Sequence, residues 1–327
     1  MAHGGLRRLV TVSALVLIAV LLLVALPVWV PLSAVYDLVR RKWRMPTLRL
    51  MLFFLLWAWN ELVGVKALFA IWVFGQGRNH RAHYSVQRWW CRNIIVALRV
   101  TVGLRVEVVG AEHAGRGPYV VFARHASLAD SIISCFVVNN TMGLNPRYVL
   151  KSDLMMVPCL DILGHRTPNC FVHRGSGNVQ GELDALANMV NGLAEGDAAV
   201  IFPEGSRANP AKQERELGRL AERHPERHAR LSGLQRLLPP KPAGAGALLD
   251  AAPQADVVTV WHEGLDGLDT FPGMLEALAD RPVRAHVVVT FHPRSEVPSG
   301  RAFEEWIDRR WVEMDDAVSM FVQAPGV

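Results

Sequence analysis

A long apolar stretch near the N-terminus constrains this chain more than any other feature of its sequence. Between Leu9 and Val30 only a threonine and a serine carry polar side chains. At 1.5 Å per residue, a helix of about 22 residues reaches roughly 33 Å, which is long enough to cross the hydrocarbon core of a bilayer. A signal peptide has a shorter apolar region followed by small residues, whereas this stretch ends in Trp29-Val30. We therefore expect a retained membrane segment over about residues 9–32.

A second apolar stretch covers about residues 50–74 and is rich in tryptophan and phenylalanine. It also contains Asn60, Glu61 and Lys66. Charged side chains at membrane depth are costly unless they face protein, water or the interface, and aromatic side chains settle at membrane–water interfaces. The pattern favours a second helix that lies partly in the interface beside the first.

Basic residues flank both apolar stretches, so the positive-inside rule does not select a single topology. One alternative is a shallow helical hairpin with every flank on the cytoplasmic side, and the other is a pair of full spans. Both place membrane-anchoring helices in residues 1–92 and an enzyme-sized domain in residues 93–327. The basic flanks are Arg7 and Arg8, then Arg40, Arg41, Lys42, Arg44 and Arg49, and finally Arg78, Arg81, Arg88 and Arg92.

The composition excludes several classes of protein. With 327 residues, 51% hydrophobic and 20% charged, the chain has enough apolar side chains to bury a core and is not disordered. Its four cysteines form no C-x-x-C pair, so we expect neither a disulfide framework nor a cysteine-rich metal site. The formal net charge of +5 favours anionic partners. No nucleic-acid-binding motif accompanies this charge, so we expect no nucleic-acid partner.

Beyond about residue 96, short apolar runs alternate with helical patterns. This alternation predicts an α/β domain with a mixed, largely buried sheet and flanking helices. The predicted helices cover residues 128–139 and 180–194. The predicted strands are Val100–Val109, Tyr119–Ala123, Ala198–Phe202, Val257–Trp261 and Ala285–Phe291.

A highly charged insert at about residues 209–236 interrupts the alternation. It contains seven basic and four acidic side chains, with leucines at helical spacings. One interpretation is a solvated surface helix with salt-bridge pairs. The other is a basic lid near an anionic bilayer.

His125 and Asp130 form the first candidate catalytic pair. His125 follows the predicted strand Tyr119–Ala123, and Asp130 stands five residues further on, in a predicted helix. An aspartate in that position can reach back to Nδ1 of the histidine, fix its tautomer and leave Nε2 to accept a proton. No serine or cysteine nucleophile is needed if the substrate supplies the hydroxyl group. The alternative is a helix-capping aspartate beside an unrelated histidine.

The segment Phe202–Arg207 follows another predicted strand and combines residue types suited to a binding or catalytic site. Gly205 permits a tight turn, Glu204 supplies a carboxylate, and Arg207 supplies a planar guanidinium that fits a phosphate group. The alternative is an ordinary turn after a strand.

Three further basic residues are candidates for binding an anion. Lys151 opens the segment KSDLMMVP, Arg174 follows the short apolar run Phe171-Val172, and Lys241 ends the segment LPPK. The alternative for a single arginine after a strand is a solvated charge.

The order of these motifs resembles that of the glycerolipid acyltransferase family. The resemblance covers about residues 95–265, and the N-terminal apolar hairpin is similar to the membrane-anchoring helices of bacterial members. Two positions depart from the family pattern, since Thr259 stands where proline is common and no glycine closely precedes Phe171. The matching motifs are His125-x4-Asp130, Phe171-x-x-Arg174, Phe202–Arg207 and the degenerate fourth motif Val257–Val260.

The resemblance implies a mixed α/β acyltransferase fold and a reaction. The acyl group of acyl-CoA or acyl-carrier protein passes to the free hydroxyl of a lysophospholipid, above all 1-acyl-sn-glycerol-3-phosphate, giving phosphatidic acid. The reaction needs no cofactor and no metal. The partners are then the acyl donor, the lysophospholipid and the bilayer, with the active site facing the cytoplasm at the inner membrane.

The resemblance also implies roles for individual residues. His125 is the base and Asp130 orients it, while Glu204 and Gly205 belong to the catalytic site, with backbone N–H groups around Gly205 stabilising the oxyanion. The implied acceptor-binding residues are Lys151, Arg174, Ser206, Arg207 and Lys241.

Two alternatives to this function stay open. The charged insert together with LPPK resembles the longer lysophospholipid acyltransferase branch, which favours a larger acceptor and a role in remodelling. The other alternative is a membrane-anchored lipid-binding protein that has the fold without the chemistry.

Overall fold

The structure is a computed structural model that describes residues 2–127, 129–172, 179–265, 268 and 270–323. The chain forms two compact units. The first comprises residues 1–105, 150–174 and 270–283, and the second comprises residues 106–149, 175–269 and 284–327. The predicted division between residues 92 and 93 falls inside a continuous helix, His80–Thr101, and stays a prediction.

The N-terminal region is helical, and strands alternate with helices after it. The described helices are α1 (Ala2–Val24), α2 (Leu26–Val39), α3 (Pro46–Val73), α4 (His80–Thr101), α5 (Asp130–Cys135), α6 (Pro158–Arg166), α7 (Val179–Val190), α8 (Pro210–Arg223), α9 (Pro225–Leu231), α10 (Pro242–Ala251), α11 (Phe271–Asp280) and α12 (Arg301–Gln323). The described strands are β1 (Arg105–Val109), β2 (Tyr119–Ala123), β3 (Asn145–Lys151), β4 (Cys170–Val172), β5 (Asp197–Ile201), β6 (Asp256–Glu263) and β7 (Arg284–His292).

The strands of the second unit form a mixed sheet in the order β1-β7-β6-β2-β5-β3. The interior strand β2 pairs in parallel with β5 on one side and with β6 on the other. All five residues of β2 are buried, as in other parallel strands that are covered on both faces. This confirms the predicted mixed, largely buried sheet. The carboxyl ends of β2, β5 and β6 lie side by side, at the edge where open α/β sheets bind ligands.

Most predicted elements of the sheet are present with slightly different ends. Tyr119–Ala123 is a strand as predicted, and the predicted strands that became β5, β6 and β7 differ by one or two residues at their ends. The prediction of a strand over Val100–Val109 was wrong in its first half, because helix α4 continues to Thr101. Gly103, with φ of 75°, follows the helix, and the strand begins at Arg105. Helices α5 and α7 are shorter than predicted, since a π-helix follows α5 and a turn follows α7.

The first unit contains the apolar N-terminal helices. The predicted segment at residues 9–32 is not one helix, since α1 ends at Val24 and α2 begins at Leu26. The break lies just before Pro27, which has no N–H to donate to the preceding turn and stands in the first turn of α2, whereas α2 continues past Pro31. Two described helices are long and apolar enough to cross a membrane, judged by length and composition: α1 from Gly4 onward, and α3.

Helix α4 runs beside α3 and forms hydrogen bonds with several of its polar side chains. Near the start of α3, Nε of Arg49 donates to the carbonyl oxygen of Thr101 at the end of α4 (2.8 Å). In the middle, Nδ2 of Asn60 donates to the carbonyl oxygen of Trp90 (3.1 Å), and Oε1 of Glu61 accepts from Nε1 of Trp90 (2.7 Å). Asn60 and Glu61 therefore face protein in this unit, as costly polar groups should, whereas Lys66 is exposed.

Asp161 on α6 holds the start of α1. Its side chain is fully buried, and its two oxygens accept from Nη2 of Arg7 (2.8 Å) and Nε of Arg8 (2.9 Å). Nδ1 of His165 lies 3.1 Å from the same carboxylate. The two arginines that flank the first apolar stretch thus compensate a buried charge, which would be strongly destabilising without them.

The charged insert packs against α12 within the second unit. It forms two helices, because Pro225 cannot continue α8. Arg227 is buried and forms an ion pair with Asp308 of α12 at 2.7 Å. The insert therefore has an apolar, buried face in addition to its solvated charges. The buried face consists of Leu220, Leu231 and Leu234, with Leu217 and Val312 packed against them.

Candidate active site

His125 and Asp130 are in contact at the carboxyl end of β2. Nδ1 of His125 lies 3.0 Å from Oδ2 of Asp130. In the tautomer with the proton on Nδ1, this nitrogen donates to the carboxylate and Nε2 is left to accept a proton from a substrate. The imidazole is 17% exposed, whereas Asp130 is 1% exposed. The ring of Phe202 packs against the imidazole with a centroid distance of 4.7 Å, which restricts its rotation.

Hydrogen-bond donors surround the carboxylate of Asp130. Oδ2 accepts the backbone N–H groups of Ala126 and Ser127 as well as the His125 ring. Oδ1 accepts the Ser127 hydroxyl, and Nε2 of His262 lies 3.1 Å from it. Burial opposes ionisation, but the contacts with His262 and His125 hold the pKa of Asp130 below its ordinary value. Asp130 therefore stays ionised and can stabilise a positive charge on His125.

Glu204 connects the loop after β5 to the loop after β2. Its buried carboxylate accepts the backbone N–H of His125 at Oε1 (2.7 Å) and that of Leu238 at Oε2 (3.0 Å). The N–H of Ala208 donates to the carbonyl oxygen of His125 (2.8 Å). Burial raises the pKa of Glu204 to about 8, although both N–H donors and Arg124 act in the opposite direction. In this arrangement Glu204 positions the backbone of His125.

Gly205 forms a tight turn at the end of β5. Its φ of 70° lies in the left-handed region that favours glycine, and its N–H donates to the carbonyl oxygen of Phe202 (2.9 Å). The N–H of Gly205 is thus engaged in the turn, so the oxyanion donor predicted near this residue has to be a neighbouring group. Among the described residues, the N–H of Ser206 has no hydrogen-bond partner.

Two lysines border this turn. Nζ of Lys241 would lie 3.1 Å from a Cβ added to Gly205, so the amine sits against the turn. Nζ of Lys212, at the start of α8, donates to the carbonyl oxygen of Arg207 (3.0 Å). The second unit therefore brings the predicted residues Ser206, Arg207 and Lys241 close to the segment that contacts His125. Lys212, which belongs to the charged insert, is an additional cation at this turn.

Two further residues, Lys151 and Arg174, were predicted to bind an anion. Lys151 belongs to the end of β3, is exposed, and forms an ion pair with Asp153. Arg174 lies outside the described residues.

Two groups that contact the candidate catalytic pair or its neighbours are not among the residues predicted from the sequence. His262 lies on β6 and contacts Asp130, and Arg124 donates through Nη1 to the carbonyl oxygen of His262. Both are buried. One signal was available for His262, since it follows directly after the apolar strand that was assigned to the fourth motif.

Helix α12 anchors the loop that contains Leu238 through hydrogen bonds to its backbone. Asp315 on α12 accepts the backbone N–H groups of Gln235 (2.8 Å), Arg236 (2.7 Å) and Leu237 (2.7 Å). Leu238 in turn donates to Glu204. The sequence gives no sign of this contact, because Asp315 lies about 80 residues further along the chain.

The arrangement suits the deprotonation of a hydroxyl group beside a cationic rim. A histidine base is oriented by an ionised aspartate, a backbone donor lies nearby, and lysine and arginine side chains lie at the same edge of the sheet. Within the described part of the chain, no three His, Cys, Asp or Glu side chains form a group placed to hold a metal ion.

Comparison with known proteins relates this site to a family. Residues 105–263 match the family model for Acyltransferase, and this segment contains all the predicted site residues. The crystal structure of the 1-acyl-sn-glycerophosphate (LPA) acyltransferase PlsC from Thermotoga maritima has a similar fold, with a TM-score of 0.54. The two chains are 13% identical, and the match covers 86% of this chain and 100% of the other. No curated protein sequence matches this chain significantly.

The pKa of Glu204 leads to a prediction about folding stability. Because the folded state raises this pKa from 4.5 to about 8, the stabilisation from this group is complete below the lower value and is lost as the pH rises through the upper one. We expect the melting temperature of the wild-type protein to fall between about pH 5 and pH 9, and to fall less in Glu204→Gln, which cannot ionise. Thermal unfolding in detergent at several pH values measures this.

The matched control is Glu226→Gln, which alters a carboxylate that is 79% exposed and should leave the wild-type slope unchanged. Identical slopes for the wild type and Glu204→Gln would show that Glu204 does not titrate in this range.

Proposed function

We propose that this O-acyltransferase, whose residues 105–263 match the family model for Acyltransferase, acylates the free hydroxyl of a lysophospholipid. The observation that carries this proposal is the 3.0 Å contact of His125 with Asp130, which leaves the second ring nitrogen to a substrate hydroxyl. The favoured acceptor is 1-acyl-sn-glycerol-3-phosphate, with phosphatidic acid as the product. The structural neighbour from Thermotoga maritima is named for this acceptor.

The proposed reaction begins when Nε2 of His125 takes the proton of the acceptor hydroxyl. The alkoxide oxygen attacks the thioester carbonyl of the donor and forms a tetrahedral oxyanion. The oxyanion then collapses, the carbon–sulfur bond breaks, and the leaving thiolate takes the proton from His125. Asp130 stabilises the imidazolium between these two steps, and the N–H of Ser206 is the proposed donor to the oxyanion. The acyl donor is acyl-CoA or acyl-carrier protein, since both present the acyl group as a thioester.

We assign acceptor binding to the cations around the Gly205 turn. Arg207 and Lys241 are the proposed ligands of the acceptor phosphate, because charge-assisted hydrogen bonds to phosphate are stronger than neutral ones. Ser206 lies between Gly205 and Arg207 and is a third proposed ligand. Lys151 and Arg174 remain proposed ligands on the basis of the sequence alone.

A larger lysophospholipid is the second candidate acceptor. The insert borders the segment that carries Lys241, since Nε2 of Gln213 on α8 donates to the carbonyl oxygen of Leu237 (2.9 Å). A headgroup beyond the phosphate would then meet the insert.

We further propose that the chain attaches to one face of the inner membrane, with its active site on the cytoplasmic side. Both ends of α3 are bonded to other parts of the first unit, through Arg49 to Thr101 at the start and through Arg166 to Gly77 just after the end. This favours the shallow hairpin over two full spans. Trp43 and Phe74, which flank α3, are 76% and 79% exposed and suit the membrane interface.

The assignment of the base predicts the effect of two substitutions. His125→Ala removes the proton acceptor and Asp130→Asn removes the charge that supports it, so we expect each to lower kcat by roughly 10³-fold or more. The measurement is transfer of labelled acyl groups from acyl-CoA, and separately from acyl-carrier protein, to lysophosphatidic acid. His113→Ala is the control, because its side chain is 73% exposed and should leave kcat unchanged. Full activity of His125→Ala would refute the assignment of the base. A wild-type protein that binds lysolipid without consuming any thioester would instead support the non-catalytic alternative.

The phosphate assignment predicts a change in KM. Loss of one charge-assisted bond costs about 1.5–3 kcal/mol, so Lys241→Ala should raise the KM for lysophosphatidic acid by roughly tenfold or more. We expect a smaller change in kcat. The control is Arg215→Ala on α8, whose side chain is 55% exposed. An unchanged KM in Lys241→Ala, or a higher kcat/KM with lysophosphatidylcholine than with lysophosphatidic acid, would favour the second candidate acceptor.

The one-sided attachment predicts which positions react with an aqueous thiol reagent. In sealed inverted membrane vesicles, Trp43→Cys and Gln76→Cys should both be labelled from the outside. Leu17→Cys, in the middle of α1, is the control for a lipid-covered position and should stay unlabelled. Two full spans would instead leave one of the first two positions protected until the vesicles are opened.

A further inference from the structure

A second histidine stands beside the catalytic pair on the neighbouring strand. β2 and β6 are parallel, and their register pairs Ala123 with Val260. His125 and His262 each lie two residues beyond this pair, at the same edge of the sheet. The pairing of the strands therefore brings to one place two histidines that are far apart in the sequence.

His262 faces the carboxylate that orients His125. Its Nε2 lies 3.1 Å from Oδ1 of Asp130, while Nδ1 of His125 lies 3.0 Å from Oδ2 of the same residue. The His262 side chain is 5% exposed and that of Asp130 is 1% exposed, so water screens this contact very little. Within the described residues, neither ring nitrogen of His262 forms a well-aligned hydrogen bond, so its 3.1 Å contact with Asp130 is electrostatic.

The backbone of His262 is itself anchored to the catalytic loop. Nη1 of Arg124, the residue before His125, donates to the carbonyl oxygen of His262. This hydrogen bond fixes the end of β6 relative to the end of β2. The backbone that carries the buried imidazole is thereby held beside Asp130.

We propose that His262 is a positioning residue for acyl transfer, which holds Asp130 from the oxygen opposite to His125. The inference rests on the proposed function, because it assigns His262 a role in the reaction carried out by His125. Two consequences follow. His262 keeps Oδ2 of Asp130 aimed at His125, and it shares the negative charge of the carboxylate, so that less of this charge acts on His125.

The second consequence has a definite sign. A positive or polar group on Asp130 offsets part of the negative charge that favours protonation of His125. Without His262, the whole charge of Asp130 acts on His125, which fixes the direction in which the pH dependence of kcat/KM should move. The other described charged or titratable groups near this contact are Arg124 and His125 after β2, Glu204 after β5 and Glu263 on β6. On β7, the residue opposite His262 is the apolar Val287. Arg310 of α12 acts on His292.

The test compares two substitutions of His262 with a matched buried histidine. His262→Phe removes the polar contact, whereas His262→Gln keeps an N–H donor of similar reach. His292→Phe is the control, since His292 is buried on β7 and contacts the Thr259 hydroxyl instead of Asp130. kcat, KM and the pH dependence of kcat/KM are measured for each full-length variant, with lysophosphatidic acid and the donor that the wild type uses.

We expect His262→Phe to lower kcat by roughly tenfold, a part of the 10²–10⁴ that positioned acid–base catalysis contributes. The KM should change by less than about twofold, because His262 does not touch the proposed acceptor site. The acid limb of the kcat/KM profile should move to higher pH. His262→Gln should recover most of kcat, and His292→Phe should leave the acid limb in place.

A merely structural role predicts a different pattern. His262→Phe, His262→Gln and His292→Phe would then lose activity together with thermal stability, and the acid limb would not move. That result, or wild-type kinetics in His262→Phe, overturns the inference. Failure of the proposed function is distinguishable, because the wild-type protein would then transfer no acyl group from any donor.

Discussion

Asp130 is an ionised side chain that is almost completely removed from water. A charge in such a place costs several kcal/mol unless hydrogen bonds and opposite charges compensate for it. Here the compensation comes from two backbone N–H groups, a serine hydroxyl and two histidines. Every one of these donors is therefore held in a definite position, and one of them is the proposed base. The same contacts that make the buried charge tolerable also give His125 its orientation.

Two other buried acidic side chains also organise loops by accepting backbone N–H groups. Glu204 accepts hydrogen bonds from the backbone N–H groups of His125 and Leu238, and Asp315 accepts three from residues 235–237. Loop backbones carry unpaired polar groups that need partners when they are buried, and a carboxylate can accept from several at once. The loop after β2, the loop after β5 and the segment before Lys241 are thereby joined through acidic side chains. This explains how a site built from loops reaches the rigidity that catalysis by positioning requires.

In the first unit, acidic side chains also lie buried, here among apolar helices. Glu61 and Asp161 would be costly in lipid, yet one accepts from Trp90 and the other from Arg7 and Arg8. Helices that look membrane-spanning by composition are thus tied to protein along one side. The exposed apolar side chains of α1 and α3 remain on the other side, as one expects of helices that lie in an interface.

The sequence by itself determined the elements that depend on short-range patterns. The buried strand Tyr119–Ala123, the five-residue spacing of His125 and Asp130, and the turn at Gly205 all rest on neighbours in the chain, and each is present. The apolar run at residues 9–32 predicts one segment, whereas the structure has two helices, with Pro27 in the first turn of the second. Only the tertiary structure decided which distant groups meet. The contacts of His262, Glu204 and Asp315 join groups that are roughly 30 to 140 residues apart in the sequence. The pairing of the strands and the packing of α12 bring these groups together. Such contacts leave no periodic signal, since each depends on the register of a whole sheet.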